Sequence, residues 1–420
     1  MERIAAPVPR VSKRMVEAFL GAHESVTAAV ATKEVLSAED RARFDALQAA
    51  IGLAKREIPD EPAGEMWAPE NAVLSQVQSF LAEQALAGAM PPPEEVMYDD
   101  HDLGGWAQSF FSWWRRIIKH RFVDATAASV IPIPNQARLA LFGDWGSGRY
   151  GAPVLAGTIG RMPGRLDAVI HLGDTYYSGT ENEVASHLLA VWPRRTDARG
   201  FTLNGNHEMY GGGIGYFQAL AQLGQPSSYF ALRNDDWLIV ALDTAYDNHS
   251  LHGNQADWLT GLAQTAGPRR IVLLSHHQPF SAFEKSGPAL VQALGTLLNG
   301  GRIHAWYWGH EHRLALYEPH PAWGLLGRCV GHGGYPYFKV ANPGAWDALT
   351  GDSGSQWLRI PAGARSPGGI VLSDDNPYVL DDPTRYGANG FALLQLNGPR
   401  ATEQYLRPDG PSVHTAALTA

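Results

Sequence analysis

Cysteine is almost absent from this sequence: among 420 residues there is one, Cys329. No disulfide can form within the chain, so its folding does not depend on an oxidising compartment. Long apolar runs are missing too. No stretch has the length of a membrane-spanning helix. The opening residues, MERIAAPVPRVSKRM, hold no apolar core of signal-peptide length, and a cytoplasmic location is the expectation. Positive charge is in deficit, with 33 Lys and Arg against 42 Asp and Glu, a net charge of -9. That balance argues against a nucleic-acid-binding surface, and no nucleic acid is expected as a partner. What the chain does have is 45% hydrophobic residues, enough to fill a sizeable core, with 13 Trp and 45 Gly that point to aromatic packing and many loops.

Two regions differ in texture. Residues 1–135 read as a mainly helical N-terminal region. Ser37 and Asp40 have capping-box spacing, and Phe44, Leu47, Ile51 and Ala54 then recur at helical period. Val73, Val77, Phe80 and Leu81 share a second helical face, and Pro69 stands near its start. PPPEEVMYDDHD breaks the pattern as a linker or loop. In GWAQSFFSWWRRIIKHRF, Trp106, Phe110, Trp113 and Ile117 fall on one helical face. They are expected to pack on the main domain rather than on a membrane surface. From residue 136 to 420 the class is α/β: short apolar strands ending in Gly, Asp, Asn or His, several separated by helix-length segments. FALLQLNG and ATEQYLRPDG read as a closing β-hairpin. The segment near 352–389, rich in Gly, Pro, Ser and Asp, reads as an irregular insertion.

The strand ends carry the chemistry. Each delivers a metal-binding residue type where a buried strand meets a loop: Asp144 in GDWG, Asp174 and Tyr177 in GDTYY, Asn206 and His207 in GNHE, His276 and His277 in SHHQP, His310 and His312 in GHEH. In α/β folds ligands sit at the carboxyl ends of strands. Carboxylate, amide oxygen and imidazole together suit first-row metals rather than calcium or a structural zinc. The set is larger than one ion can use, which points to two ions sharing a bridging carboxylate. Two ions roughly 3.5–4 Å apart are a standard device for in-line displacement at phosphorus. Singly, each box is weak; five in this order, each after a strand, are specific.

The ordered boxes GD, GDxxY, GNHE, a strand-end His and GHxH resemble the signature of the calcineurin-like metallophosphoesterases over roughly residues 137–340. The resemblance implies two packed mixed β-sheets flanked by helices, a four-layer sandwich with a dinuclear centre at one edge. Many members carry a histidine two residues after the first aspartate; here that position is Gly146. The loss, together with Tyr177 at the fifth position of its box, resembles the purple acid phosphatases. There the tyrosine binds ferric iron, a metal acidic enough to ionise a phenol far below its free pKa of about 10.

Carried over residue by residue, the resemblance implies that Asp144, Tyr177 and His312 hold the first ion and that Asp174 bridges. Asn206, His276 and His310 then complete the second ion. The implied cofactors are Fe(III) and a divalent Fe, Zn or Mn ion. His207 and Asp174 are the implied catalytic residues, and His207, Asn206 and His277 the residues that meet substrate. Which histidine of SHHQP binds metal stays open: His276 comes first at the strand end and is favoured, and strand alternation sends His277 to the opposite side, to line the cleft or to pack. Tyr176 fails the family spacing and reads as a wall or core residue, Asp243 as a turn cap, and Cys329 as a buried strand residue. The implied reaction is hydrolysis of a small phosphate ester by a metal-bound hydroxide attacking phosphorus in line, with phosphomonoesters favoured. Two alternatives stand beside it: a phosphodiesterase acting on nucleotides or lipid headgroups, and an inactive binding or scaffold protein that keeps the fold.

Overall fold

The run QARLALF forms strand β2 (Gln136–Phe142), buried almost without a break toward its carboxyl end, as a strand covered on both faces must be. The structure, a computed structural model, describes residues 11, 13–30, 38–58, 69, 71–86, 110, 114, 117–148, 150–286, 288–340, 346–379 and 383–419. Parallel to β2 run β3 (Ala168–His171) and then β4 (Arg199–Thr202), with Leu141 opposite Ile170 and Ile170 opposite Phe201. On its other side β2 pairs antiparallel with β14 (Phe391–Asn397). That strand turns as a hairpin into β15 (Arg400–Leu406), followed by β16 (Ser412–Ala417). The first sheet is therefore β16-β15-β14-β2-β3-β4.

The second sheet has parallel strands at its centre: β6 (Trp237–Ala241), β7 (Arg270–Ser275), β8 (Ile303–Trp308) and β10 (Leu326–Val330). Beyond β10 lies antiparallel β9 (Leu314–Tyr317), and then β13 (Gly369–Leu372) and β12 (Gln356–Ile360), also antiparallel. The last two lie inside the segment near 352–389 that reads as an irregular insertion. Their apolar content sits in two very short runs, QWLRI and GIVL, inside a loop-like composition, and it is pairing with β9 that makes them strands.

The two sheets face each other across one core, where Leu139, Leu141, Ile170 and Phe201 meet Phe230, Ile239, Val272 and Leu274. Helices cover the outer faces: Gly151–Arg161 on the first sheet and Gln255–Thr265 on the second. The layers run helix, sheet, sheet, helix, a mixed α/β sandwich. A buried ion pair joins the sheets, Arg328 of β10 lying 2.7 Å from Glu403 of β15. The hydroxyls of Tyr307 and Tyr405 donate to the same carboxylate at 2.6 and 2.9 Å.

The N-terminal region contains α1 (Lys13–Val30), α2 (Ala38–Glu57) and α3 (Ala72–Leu86). Leu47, Ile51, Ala54, Val77, Phe80 and Leu81 are buried in one cluster, which also takes in Tyr176, Tyr177 and Tyr335 from the sandwich. Polar contacts fix the docking. Gln76 donates to the Tyr210 carbonyl at 2.6 Å, and the Ser79 hydroxyl donates to Glu183 at 2.8 Å. Of the aromatic segment, Phe110 is buried in that cluster and Trp114 donates its indole N–H to Gln76 at 3.0 Å. Trp106 and Trp113 lie outside the described residues. Among the described residues no helix is long and apolar enough to cross a membrane.

Candidate metal centre

The loops that leave β2, β3, β4, β7 and β8 converge at one edge of the sandwich. Their backbone is unusual there. Asp144, Asp174, His310 and His312 have φ of 57°, 74°, 68° and 51°. Non-glycine residues avoid this left-handed region, and the cost of holding them in it is tolerated mainly at functional sites. Close approach fixes two glycines. A Cβ on Gly205 would lie 2.1 Å from Asp174 Oδ1, and one on Gly309 would lie 2.7 Å from Asp144 Oδ2.

Two donor groups share Asp174. Asp144, Asp174 and His312 form one, and Asp174, His276 and His310 the other, the ligand atoms of each lying within 4.8 Å of one another. His276 Nδ1 donates to the Leu172 carbonyl at 2.9 Å, which turns Nε2 toward Asp174 Oδ1 at 3.3 Å. The Asn206 amide oxygen lies 2.9 Å from His276 Nε2 and 3.0 Å from His310 Nδ1, between the two rings. His312 Nε2 is 3.5 Å from Asp144 Oδ1, a buried oxygen with no hydrogen-bond partner. Glu208 braces the cluster from behind, its carboxylate accepting the amides of Asp174 and Gly205 at 3.1 and 2.9 Å.

Burial would lower His276, but Asp174 and Asp144 raise it to about 9, pairing it with Asp174. Burial, reinforced by Asp174, raises the Asp144 pKa well above the carboxylate range, although His276 opposes it. Burial would raise Asp174 as well, but His276 and His207 outweigh it and hold it well below. Burial lowers His310 well below its ordinary value and takes His312 to about 3. Two buried carboxylates, an orphaned carboxylate oxygen, an amide oxygen and mostly neutral imidazoles turned inward form a set that fits metal ions.

The tyrosine pair departs from the sequence expectation. Tyr176, not Tyr177, reaches the cluster: its hydroxyl is 3.0 Å from Asp174 Oδ2 and hydrogen-bonds His312 Nε2. Tyr177 turns the other way, into the N-terminal helices, and its hydroxyl accepts the amide of Val11 at 3.2 Å. The physical reason is competition for the ring. The Tyr177 amide is tied to Glu183 at 2.8 Å, and the hydrogen bond from the Val11 amide holds its hydroxyl at the N-terminal region. Tyr335 stacks on Tyr176 at 4.3 Å and also fills the space beside Gly146, where an added Cβ would meet it at 3.1 Å.

His207 stands at the cluster's rim. Its Nδ1 donates to the Tyr177 carbonyl at 2.5 Å, and Nε2 faces Asp174 Oδ2 at 3.9 Å. His277 does not turn to the opposite side; its ring lies 4.7 Å from that of His310 and 3.9 Å from that of His249. Asp243 caps a turn by accepting the amides of Ala245 and Tyr246 at 3.0 and 2.9 Å, and Cys329 is buried on β10. Sequence reasoning missed His249, which follows no strand box, and Glu284, whose carboxylate lies 3.5 Å from His310 Nε2.

Residues 137–314 match the family model described as calcineurin-like phosphoesterase. Among solved structures the chain is similar to purple acid phosphatase PPD1 from yellow lupin (Lupinus luteus) seeds, at 15% identity and a TM-score of 0.49. That match covers 68% of this chain and 55% of the lupin chain, little more than half its length. The chain is also similar to PhoD, at 11% identity and a TM-score of 0.42, over 70% of each chain. No curated protein matches the sequence.

Proposed function

We propose that the chain, whose residues 137–314 match the calcineurin-like phosphoesterase model, hydrolyses phosphate esters at a dinuclear centre and favours phosphomonoesters. The observation that carries this reading is the sharing of Asp174 by two donor groups at one sheet edge. In it, Asp144, Tyr176, His312 and Asp174 hold one ion, and Asp174, Asn206, His276 and His310 hold the other. Two bound ions supply Lewis acidity and an activated water for in-line attack at phosphorus.

Burial and the neighbouring negative charge of Asp174 and Asp144 raise the Tyr176 phenol well above 10. It ionises only against a strongly acidic cation, which supports Fe(III) in the first position beside a divalent Fe, Zn or Mn ion. Gly146, standing where many members of the family carry a histidine, supports the monoester preference through its resemblance to the acid phosphatases. His207 acts on the substrate. Burial lowers its pKa, but a phosphate dianion beside Nε2 offsets that penalty. The ring then protonates in the complex, holds a phosphate oxygen and passes the proton to the leaving oxygen. Asn206 keeps the phosphate close to His207.

The test is hydrolysis of an aryl phosphate monoester against the matching diester, at equal concentration, with iron and a divalent metal supplied. Faster cleavage of the monoester is expected. Preference for the diester moves the chain to phosphodiesterase chemistry, and cleavage of neither, with two ions bound, makes it a binding protein.

A further inference from the structure

Beside the Asp174 cluster a second set of side chains meets, and two of its members, His249 and His277, have no part in the proposed reaction. His249, His277 and His310 each offer a ring nitrogen, and these nitrogens lie within 4.8 Å of one another. Their rings are neighbours, with centroids 3.9 Å apart for His249 and His277, 4.7 Å for His277 and His310, and 5.4 Å for His249 and His310.

Packing alone does not account for this arrangement. His277 is fully buried; its Nδ1 lies 3.0 Å from the Thr244 hydroxyl, while Nε2 has no hydrogen-bond partner. Leaving a buried imidazole nitrogen unpaired is unfavourable unless something else takes its lone pair. His249 is held at φ 57°, a conformation that histidine adopts only against resistance. The ring nitrogens of these two residues and of His310 nonetheless meet within 4.8 Å of one another. Three imidazoles without a carboxylate among them are a ligand set for a borderline divalent cation, zinc above all, and Glu284 stands 3.5 Å from His310 Nε2 as a fourth donor.

We propose that His249, His277 and His310 bind a third ion, a borderline divalent cation such as Zn2+, next to the dinuclear centre. The site shares His310 with the second ion of the proposed function and is otherwise independent of it. His310 turns Nδ1 toward Asn206 and His276, and Nε2 toward Glu284, so the ring has a nitrogen for each side. Filling both sides sends its remaining ring proton to solvent.

The experiment counts metal. The full chain is stripped with a chelator, reloaded with Zn2+, freed of unbound ion and analysed for zinc per chain, beside His249→Gly. Glycine accepts a φ of 57° without strain, so the loop is undisturbed. The variant is expected to hold one equivalent less than the wild type. Equal counts overturn the proposal. Should His249→Gly not fold, His277→Asn is read the same way, since its amide can replace Nδ1 at Thr244 but offers nothing in place of Nε2. Asp174→Asn serves as the separating control: if it loses no metal, the dinuclear reading fails, whatever the His249 variant does.

Discussion

At the scale of single residues, the tyrosine pair gives the sharpest test. If the chain binds iron as proposed, Tyr176 is expected to ionise against it and to colour the protein by charge transfer. Tyr176→Phe is expected to lose the visible band and to lower kcat by at least roughly 10–100-fold, the range seen when groups that support a metal are removed. Tyr177→Phe is expected to keep the band and to lose the hydrogen bond from the Val11 amide, at a cost of about 1 kcal/mol of stability. Absorption spectra of the two iron-loaded variants decide it; a band that survives in Tyr176→Phe and vanishes in Tyr177→Phe reverses the assignment. Much of the cluster was legible because buried strands that end in Gly and a donor residue must deliver that donor to an edge. The tyrosine was not, because spacing counts positions along the chain and says nothing of which ring a distant helix will claim. His249 was illegible for a related reason: it follows no strand, and only the fold brings it to His277.

At the scale of elements, the strands that end in ligands were readable from continuous apolar runs. Strands β12 and β13 were hidden because four or five residues in a polar surrounding carry too little pattern. The bond between the sheets was equally hidden, since Arg328 and Glu403 stand 75 residues apart and neither lies in a motif. Burial alone would raise the Glu403 carboxyl, but Arg328 and the hydroxyls of Tyr307 and Tyr405 hold it below its ordinary 4.5. A depressed folded-state pKa stabilises fully above the unfolded value, and that contribution fades as pH falls through the folded value. Glu403→Gln leaves the Arg328 charge buried without its partner and is expected to cost about 3–5 kcal/mol at neutral pH. Urea midpoints should show the gap between wild type and variant narrowing below pH 4.5. A gap that stays constant through the acid range means that this pair does not hold the sheets.

At the scale of the whole molecule, the N-terminal helices pack against the loop beside the candidate metal centre. They cover the face of the loop that carries Asp174, Tyr176 and Tyr177, and they reach it through Ser79, which shares a hydrogen bond of 2.6 Å with Ser178. Phe80 is the keystone of that packing, buried between Phe19 at 6.0 Å and Phe110 at 5.3 Å. Phe80→Ala removes a buried aromatic ring and is expected to cost about 3–5 kcal/mol, spent first on the contact between helices and sandwich. If the helices only dock a partner, loosening them leaves the sandwich and its ions untouched. If they brace the tyrosine loop, Phe80→Ala speeds the release of bound iron to a chelator and weakens the charge-transfer band, while the two sheets stay folded. Iron release timed against far-UV circular dichroism separates the two. Faster release with unchanged sheet signal is the expected result; identical release rates in wild type and variant would assign the helices to docking alone.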